Sequence, residues 1–258
     1  MSSKLKTVKQ NLNKTKNKLR RVLEDIDRDN QYWREGVTLN SRRVAQGYVG
    51  LEKGHIDHRL FSKRRIVTKM RAGFALASDH SASLSGGRYS SNWAEICYLL
   101  GGMHSLADSL GIKSSSGIVR FESSWNAQEG ASTSNRPNVS IAVDHNMHWK
   151  DTYLEPMLSH RPGGGTSLIS YAESAIDMAL NMDGVTHRIA FFLTDGQCYE
   201  KQYLESLRLQ AKAKGVTLVG IGLGMSGRGL PNGIDGYSAE EISVKMVDRI
   251  VEVLRAND

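Results

Sequence analysis

No acidic residue precedes Glu24, while Lys4, Lys6, Lys9, Lys14, Lys16, Lys18, Arg20 and Arg21 place eight positive charges ahead of it. The whole chain of 258 residues carries 34 Lys+Arg against 27 Asp+Glu, a net charge of +7 with a pI near 9.4, which raises a nucleic-acid reading. Because the excess sits largely in one N-terminal arm without interleaved aromatics or a recognisable module, that reading is the weaker alternative. Cysteine is scarce as well. Cys97 falls in an expected helix and Cys198 in a loop after an expected strand, and both are read as free thiols of a reducing compartment. Apolar runs of membrane-spanning length are missing, and the N-terminus Met1-Ser2-Ser3-Lys4-Leu5-Lys6 runs on into polar, basic sequence where a secretory signal would place its apolar region. The expectation is a soluble cytoplasmic protein with no membrane partner.

What is present is ordinary globular composition, 40% hydrophobic and 24% charged, enough to bury a core. Residues 1 to about 30 carry Leu5, Val8, Leu12, Leu19, Val22, Leu23 and Ile26 as a partial helical stripe on a solvated helix. Its apolar stripe within a basic face points to docking on an acidic partner, outside the main fold. From Gln31 to Lys69 the pattern is irregular, and Trp33, Tyr48, Leu51, Ile56 and Leu60 are too few for a core of their own. A second basic run, Lys63-Arg64-Arg65, follows. The boundary is placed near Met70, giving a basic, largely helical extension over 1–69 and an α/β domain over 70–258.

Beyond that boundary short apolar runs alternate with longer amphipathic segments, the pattern of a parallel sheet covered by helices. Strands are expected at 73–77, 117–121, 139–143, 189–193 and 216–222, with the polar stretch 123–138 a loop or hairpin. Helices are expected where Trp93, Ile96, Leu100, Met103, Leu106 and Leu110 recur up to Gly111, where Ile169, Ala172, Ile176 and Leu180 follow the Gly163-Gly164-Gly165 cluster, through Leu204, Leu207 and Ala211, and through Ile242, Met246, Ile250 and Leu254.

Two expected strands end in an acidic residue, Asp79 and Asp195, and the glycine cluster delivers Thr166 to a helix start. In an open α/β sheet all three lie at the carboxyl edge, where ligands bind at the point of strand-order reversal. Asp79-His80-Ser81-Ala82-Ser83 spaces its oxygen side chains two apart, so one loop can aim Asp79, Ser81 and Ser83 at one centre. A hard cation such as Mg²⁺ takes oxygen ligands and retains water, so hydroxyls and two carboxylates satisfy it. Alone, Asp-x-Ser-x-Ser is equally an N-cap or Asx-turn. Asp79 is taken as a loop position with little share in the core, and His80 is expected to turn away because Mg²⁺ disfavours imidazole.

The three motifs together, Asp79-x-Ser81-x-Ser83, Gly163-Gly164-Gly165-Thr166 and Thr194-Asp195-Gly196, stand in the order and spacing of the von Willebrand factor A-type (VWA) metal-ion-dependent adhesion site (MIDAS), and residues 70 to 256 resemble that family. The resemblance implies a doubly wound, Rossmann-like α/β sheet with helices on both faces, and ligation of Mg²⁺, or of Mn²⁺ or Ca²⁺, directly by Ser81, Ser83 and Thr166, with Asp79 and Asp195 close by and often acting through water. Gly54-His55-Ile56-Asp57-His58-Arg59-Leu60, the basic run after it, and Ser238-Ala239-Glu240-Glu241 resemble the C-terminal part of the CobT-type subunit of aerobic cobaltochelatase. That implies an AAA+ ATPase partner (CobS- or MoxR-like), a large chelatase subunit and a role in cobalt insertion for cobalamin biosynthesis, with an acidic partner residue completing the metal site. The chain lacks the acidic segment of that family ahead of its VWA region, so a MoxR-type adaptor unrelated to cobalamin stays open, as does the oligomeric state.

Rival chemistries have less behind them. Covalent phosphoryl transfer needs a nucleophilic Asp with a second carboxylate nearby, yet Ser81 stands two after Asp79, and the motif holds no general base. His145 and His148 are three apart but lack further ligands. The glycines at 220, 222, 224, 227 and 229 lack the Gly-Lys-Ser/Thr ending of a nucleotide loop.

Overall fold

In strand β1, Ala72–Asp79, Phe74 and Leu76 bury on one face and Ala75 and Ala77 on the other, as period-two alternation requires of a strand covered on both sides. The computed structural model describes residues 3–29, 72–85, 91–121, 137–196, 201–225, 227 and 229–256, with short isolated segments between 32 and 62 and between 125 and 132. Around β1 lie β2 (Lys113–Phe121), β3 (Pro137–Val143), β4 (His187–Thr194), β5 (Val216–Leu223) and β6 (Ile234–Gly236). The six-stranded sheet has the order β3-β2-β1-β4-β5-β6. All neighbours are parallel except β3, which runs antiparallel to β2. The expected doubly wound sheet thus carries one antiparallel edge strand. A parallel neighbour needs a helical crossover, whereas the segment between β2 and β3 carries a two-stranded pairing of 125–126 with 131–132, a return that leaves the strands antiparallel.

Helices α1 (Ser3–Asp29), α2 (Asn92–Leu110), the short α3 (Leu154–Ser159) and α6 (Ala239–Ala256) cover one face; α4 (Leu168–Leu180) and α5 (Lys201–Ala213) cover the other. Helix α2 stops at Gly111, whose φ of 67° is the left-handed conformation of a C-terminal cap. No helix among the described residues is long and apolar enough to cross a membrane.

The apolar stripe of α1 finds its acceptor inside the same chain. Leu5, Val8, Leu12, Leu19 and Val22 are all 3% exposed or less and belong to one core with α2, α6 and the inward residues of β1 and β4. Close approach is possible because α2 presents Gly101-Gly102. A methyl group at Gly102 would lie 2.5 Å from Val8 Cγ1, and one at Gly101 would lie 3.1 Å from Leu5 Cδ1. The basic face is answered locally too. Lys4 pairs with Glu95, Lys9 with Asp151 at 2.6 Å and Lys18 with Asp248 at 2.7 Å. Such exposed pairs contribute only about 0–1 kcal/mol each, so the buried stripe holds the helix and the ion pairs set its register. The acids that pair with Lys4, Lys9 and Lys18 therefore lie on α2, before α3 and on α6. A division at residue 70 separates α1 from the core it helps to fill.

Leu12→Ala should lower the unfolding free energy by about 2–5 kcal/mol, whereas Lys6→Ala, on the solvated face, should change it by no more than about 0.5 kcal/mol. Guanidinium titration of both variants checks this, and equal, small effects would show that α1 is not part of the folded core.

Candidate metal centre

From β1 the chain adds β2 on one side and later places β4 on the other, so strand order reverses between β1 and β4. Asp79 ends β1 and Asp195 follows the last residue of β4. The two acidic residues therefore meet at the crevice such a reversal creates.

Asp79 is fully buried, and its carboxylate gathers three donors. Oδ1 accepts from the Ser81 backbone N–H at 2.7 Å and from the Tyr171 hydroxyl at 2.9 Å; Oδ2 accepts from the Thr194 hydroxyl at 2.9 Å. These donors come from the metal loop, from α4 and from the end of β4. A loop position with little share in the core is thus corrected: the carboxylate is a buried acceptor joining three elements. Burial outweighs the hydrogen bonds and holds the Asp79 carboxyl above the usual carboxylate range. Burial and the neighbouring Asp79 keep the Tyr171 hydroxyl protonated, well above its own range.

In front of Asp79 the oxygens form a chain. Ser81 Oγ lies 2.8 Å from Ser83 Oγ, which donates to Asp195 Oδ1 at 2.6 Å, while Asn92 Nδ2, in the first turn of α2, donates to Asp195 Oδ2 at 3.2 Å. Ser81 is buried; Ser83 and Thr166 are exposed and Asp195 half-buried. The glycine loop is stitched to the Asp79 loop by backbone bonds, Gly163 N–H to the His80 carbonyl at 2.8 Å and Ala82 N–H to the Gly164 carbonyl at 3.3 Å. Gly164 takes φ 92°, which side-chain-bearing residues rarely adopt. Thr166 is thereby brought against the turn after β4. A methyl group at Gly196 would stand 3.0 Å from Thr166 Cγ2 and 3.3 Å from Thr194 Oγ1, so glycine in Thr-Asp-Gly permits the approach.

All five expected residues converge on one edge. Sequence reasoning missed Tyr171, Thr194 and Asn92, which orient the carboxylates. Thr194 stood inside the quoted motif and Asn92 directly follows the helix-capping Ser91, whose hydroxyl accepts from Ala94 N–H at 3.2 Å. His80 points away as expected. It is buried edge-on to Trp93, with ring centroids 4.8 Å apart, and burial, then the charges of His160 and Arg120, lower its pKa to about 4. His145 and His148 lie after β3, His148 beside Asp108 at 3.3 Å, away from these loops. Cys97 is buried in α2, and burial pushes its thiol up. Cys198 and the 54–60 segment lie outside the described residues.

The donor set fits a hard divalent cation. Cis ligands of an octahedral ion with bonds of roughly 2.0–2.1 Å stand about 2.9 Å apart, close to the separations of the serine and Asp195 oxygens. Neither Asp79 nor Asp195 has an ion pair among the described residues, so a divalent cation held here would supply a countercharge for the buried carboxylate. No group of three or more His, Cys, Asp or Glu that could hold a metal occurs among the described residues; hydroxyls would make up the balance of a site here.

The β3-β2-β1-β4-β5-β6 order, with the three motif loops on its carboxyl edge, decides the architecture. The fold is that of a VWA domain. The pilus adhesin SpaC from Lactobacillus rhamnosus GG aligns with a TM-score of 0.51 at 12% identity, over 74% of this chain and 31% of the adhesin. Proximal thread matrix protein 1 from the mussel byssus, solved with a zinc-occupied MIDAS motif, aligns at 0.47 and 17% identity over 71% of this chain and 48% of that one. Manganese-loaded TRAP protein of Plasmodium vivax aligns at 0.41 and 14% identity over 70% and 62%. This chain thus spans about a third of the adhesin's length and about half of the byssus protein's. No protein-family model and no curated protein matches the sequence.

Asp79→Ala should cost about 1–3 kcal/mol without metal, because it strips buried donors of their acceptor, and Ser83→Ala within about 0.5 kcal/mol. Mg²⁺ or Mn²⁺ at a hundredfold excess over its Kd should stabilise the native chain by about 2.7 kcal/mol, roughly 5–10 °C in Tm for a domain of this size. Differential scanning fluorimetry should register that rise for the native chain and none for Ser83→Ala; an equal rise in both would remove the serine from the ligand set.

Proposed function

We propose that this chain is a metal-dependent protein-recognition subunit, which binds a partner's carboxylate through a divalent cation at the edge formed by β1 and β4. Ser81, Ser83 and Thr166 would hold the cation directly, with Asp79 and Asp195 supplying its charge balance. When bound, the cation offers a coordination position that a hard oxygen ligand can take from water. The observation that carries the reading is the oxygen chain from buried Ser81 through exposed Ser83 to Asp195, backed by the buried carboxylate of Asp79.

This chain's own residues set up recognition in two ways. Tyr171, Thr194 and the Ser81 N–H fix Asp79, so the inner side of the site is rigid before any ligand arrives, which lowers the ordering cost of binding. Asn92 holds the outer oxygen of Asp195, leaving the other turned to Ser83. Two carboxylates neutralise a divalent ion without overcompensating it, so a third carboxylate from a partner still gains by approaching.

The resemblance of residues 54–60 and 238–241 to the CobT-type subunit gives the finer reading, an AAA+ ATPase as the partner and a cobalt-inserting chelatase as the assembly they serve. A protein partner is preferred to nucleic acid because Lys4, Lys9 and Lys18 are already paired with the chain's own acids.

Affinity capture from the native cell extract, in Mg²⁺ and in a chelator, tests both levels. The expected result is an AAA+ ATPase identified by mass spectrometry, retained in Mg²⁺, released by the chelator and absent with Ser83→Ala and Thr166→Ala. Capture of the same ATPase irrespective of metal would overturn the metal reading, and a metal-dependent partner of another class would overturn the AAA+ assignment alone.

A further inference from the structure

At the far edge of the sheet from the metal loops, β4 begins with His187-Arg188, and these residues face the last turns of α5. Arg208 and Lys212 stand four apart on that helix and so project from one side of it. Together with Thr217 of β5 and Asn232 they line an open cleft of about 570 Å³, into which no acidic residue among those described projects. The volume lies within the range of small-molecule sites. The distance to Asp195 along β4 is roughly 23 Å, so this cleft is separate from the metal centre.

The ordinary explanations account for part of this cluster. A lysine in the last turn of a helix answers the partial negative charge there, and Arg208 is held by Glu205 through two bonds of 2.9 and 2.6 Å. They do not account for Arg188. Its Nη2 reaches only the Met182 carbonyl, at 3.4 Å, and its Nε is enclosed by the fold without a hydrogen-bond partner among the described residues. A buried guanidinium donor left unmade is costly, and a small swing of the side chain onto a ligand oxygen would satisfy it. The contrast with α1 is informative. There three lysines are paired with acids of the domain; here Arg208 is held by Glu205, but Arg188 and Lys212 line a concavity with no acidic residue in its described lining.

We propose that this cleft binds a small molecule carrying two or more linked phosphate groups. A guanidinium such as that of Arg188 matches phosphate oxygens, Lys212 adds a point charge, and the cations are spread over a strand and a helix, which suits a chain of anionic groups better than a single one. Asn232 donates its Nδ2 to the Leu218 carbonyl at 2.8 Å, which fixes the wall opposite the helix.

The test is isothermal calorimetry on the full chain, in buffer freed of divalent cations by a chelating resin, so that the metal site plays no part. The probes are tripolyphosphate, adenosine triphosphate and citrate. Saturable one-to-one binding of tripolyphosphate is expected, weakened at least about tenfold by Lys212→Glu, which is exposed and should fold. Lys6→Glu, the same charge change on the solvated face of α1, should weaken it by less than about twofold. Tighter binding of adenosine triphosphate than of tripolyphosphate would assign a nucleotide, and equal binding the bare polyphosphate; both support the site. Absence of saturable binding, equal weakening by the two variants, or citrate binding as tightly as tripolyphosphate would overturn it.

Discussion

The carboxylate of Asp79 is the fixed point of this molecule. Its two oxygens accept from the loop that follows β1, from α4 and from the end of β4, so one buried side chain joins the strand on each side of the order reversal and the helix that covers them. The arrangement has an electrostatic tension built into it. Burial disfavours the charge more than three hydrogen bonds favour it, and no Lys or Arg is paired with it among the described residues. A cation placed beyond Ser81 and Ser83 would relieve that tension, so the same group that organises the loops would also favour a metal there.

The second dependence runs through α1. A helix read from its lysines looks like an arm for a foreign acidic surface, but its five buried apolar residues join the core shared by α2, α6 and the sheet. The decision between the two is one of magnitude: burying several Leu and Val side chains contributes roughly 1.5–3 kcal/mol each, against about 0–1 kcal/mol for each exposed ion pair. Lysine content therefore reports which surface the helix lies on, and the glycine pair at 101–102 reports how closely. Those glycines sat in plain view in the α2 segment, where helix propensity alone would have marked them as a weakness.

Much of the sheet was legible because its signal is apolar. Strands β1, β4 and β5 are runs of Ala, Val, Leu, Ile and Phe buried on both faces, and the structure extends them by one to three residues. Strand β2 was read four residues short because Lys113-Ser114-Ser115-Ser116 carries no apolar pattern. Those serines are nevertheless buried, since His104 of α2 bonds Ser114 at 2.7 Å and Ser116 at 2.9 Å while Ser115 donates to the Val143 carbonyl. Polar strands of this kind are invisible to periodicity because their partner lies in another element. The site divides in the same way. Asp79, Ser81, Ser83, Thr166 and Asp195 stand in short local motifs, whereas Tyr171 matters only through an acceptor 92 positions away, and Asn92 through one 103 away. β6 is three residues long, too short to display a period.

At the proposed metal edge, the described polar groups hold one another in place. A base acting on a metal-bound molecule would need to face the open side with an accessible lone pair. His80, adjacent in sequence, is instead packed against Trp93 with both ring nitrogens enclosed, and Tyr171 donates its proton to Asp79 from behind. Asp195 faces the open side, but its oxygens are committed to Ser83 and Asn92. Among the described residues, His80 is thus turned away, and Tyr171 and Asp195 are engaged in fixing other groups. Toward solvent stand the hydroxyls of Ser83 and Thr166, and the carboxylates behind them would balance the charge of a divalent ion held there. On the proposed reading, that balance would give an incoming carboxylate a cation to bind.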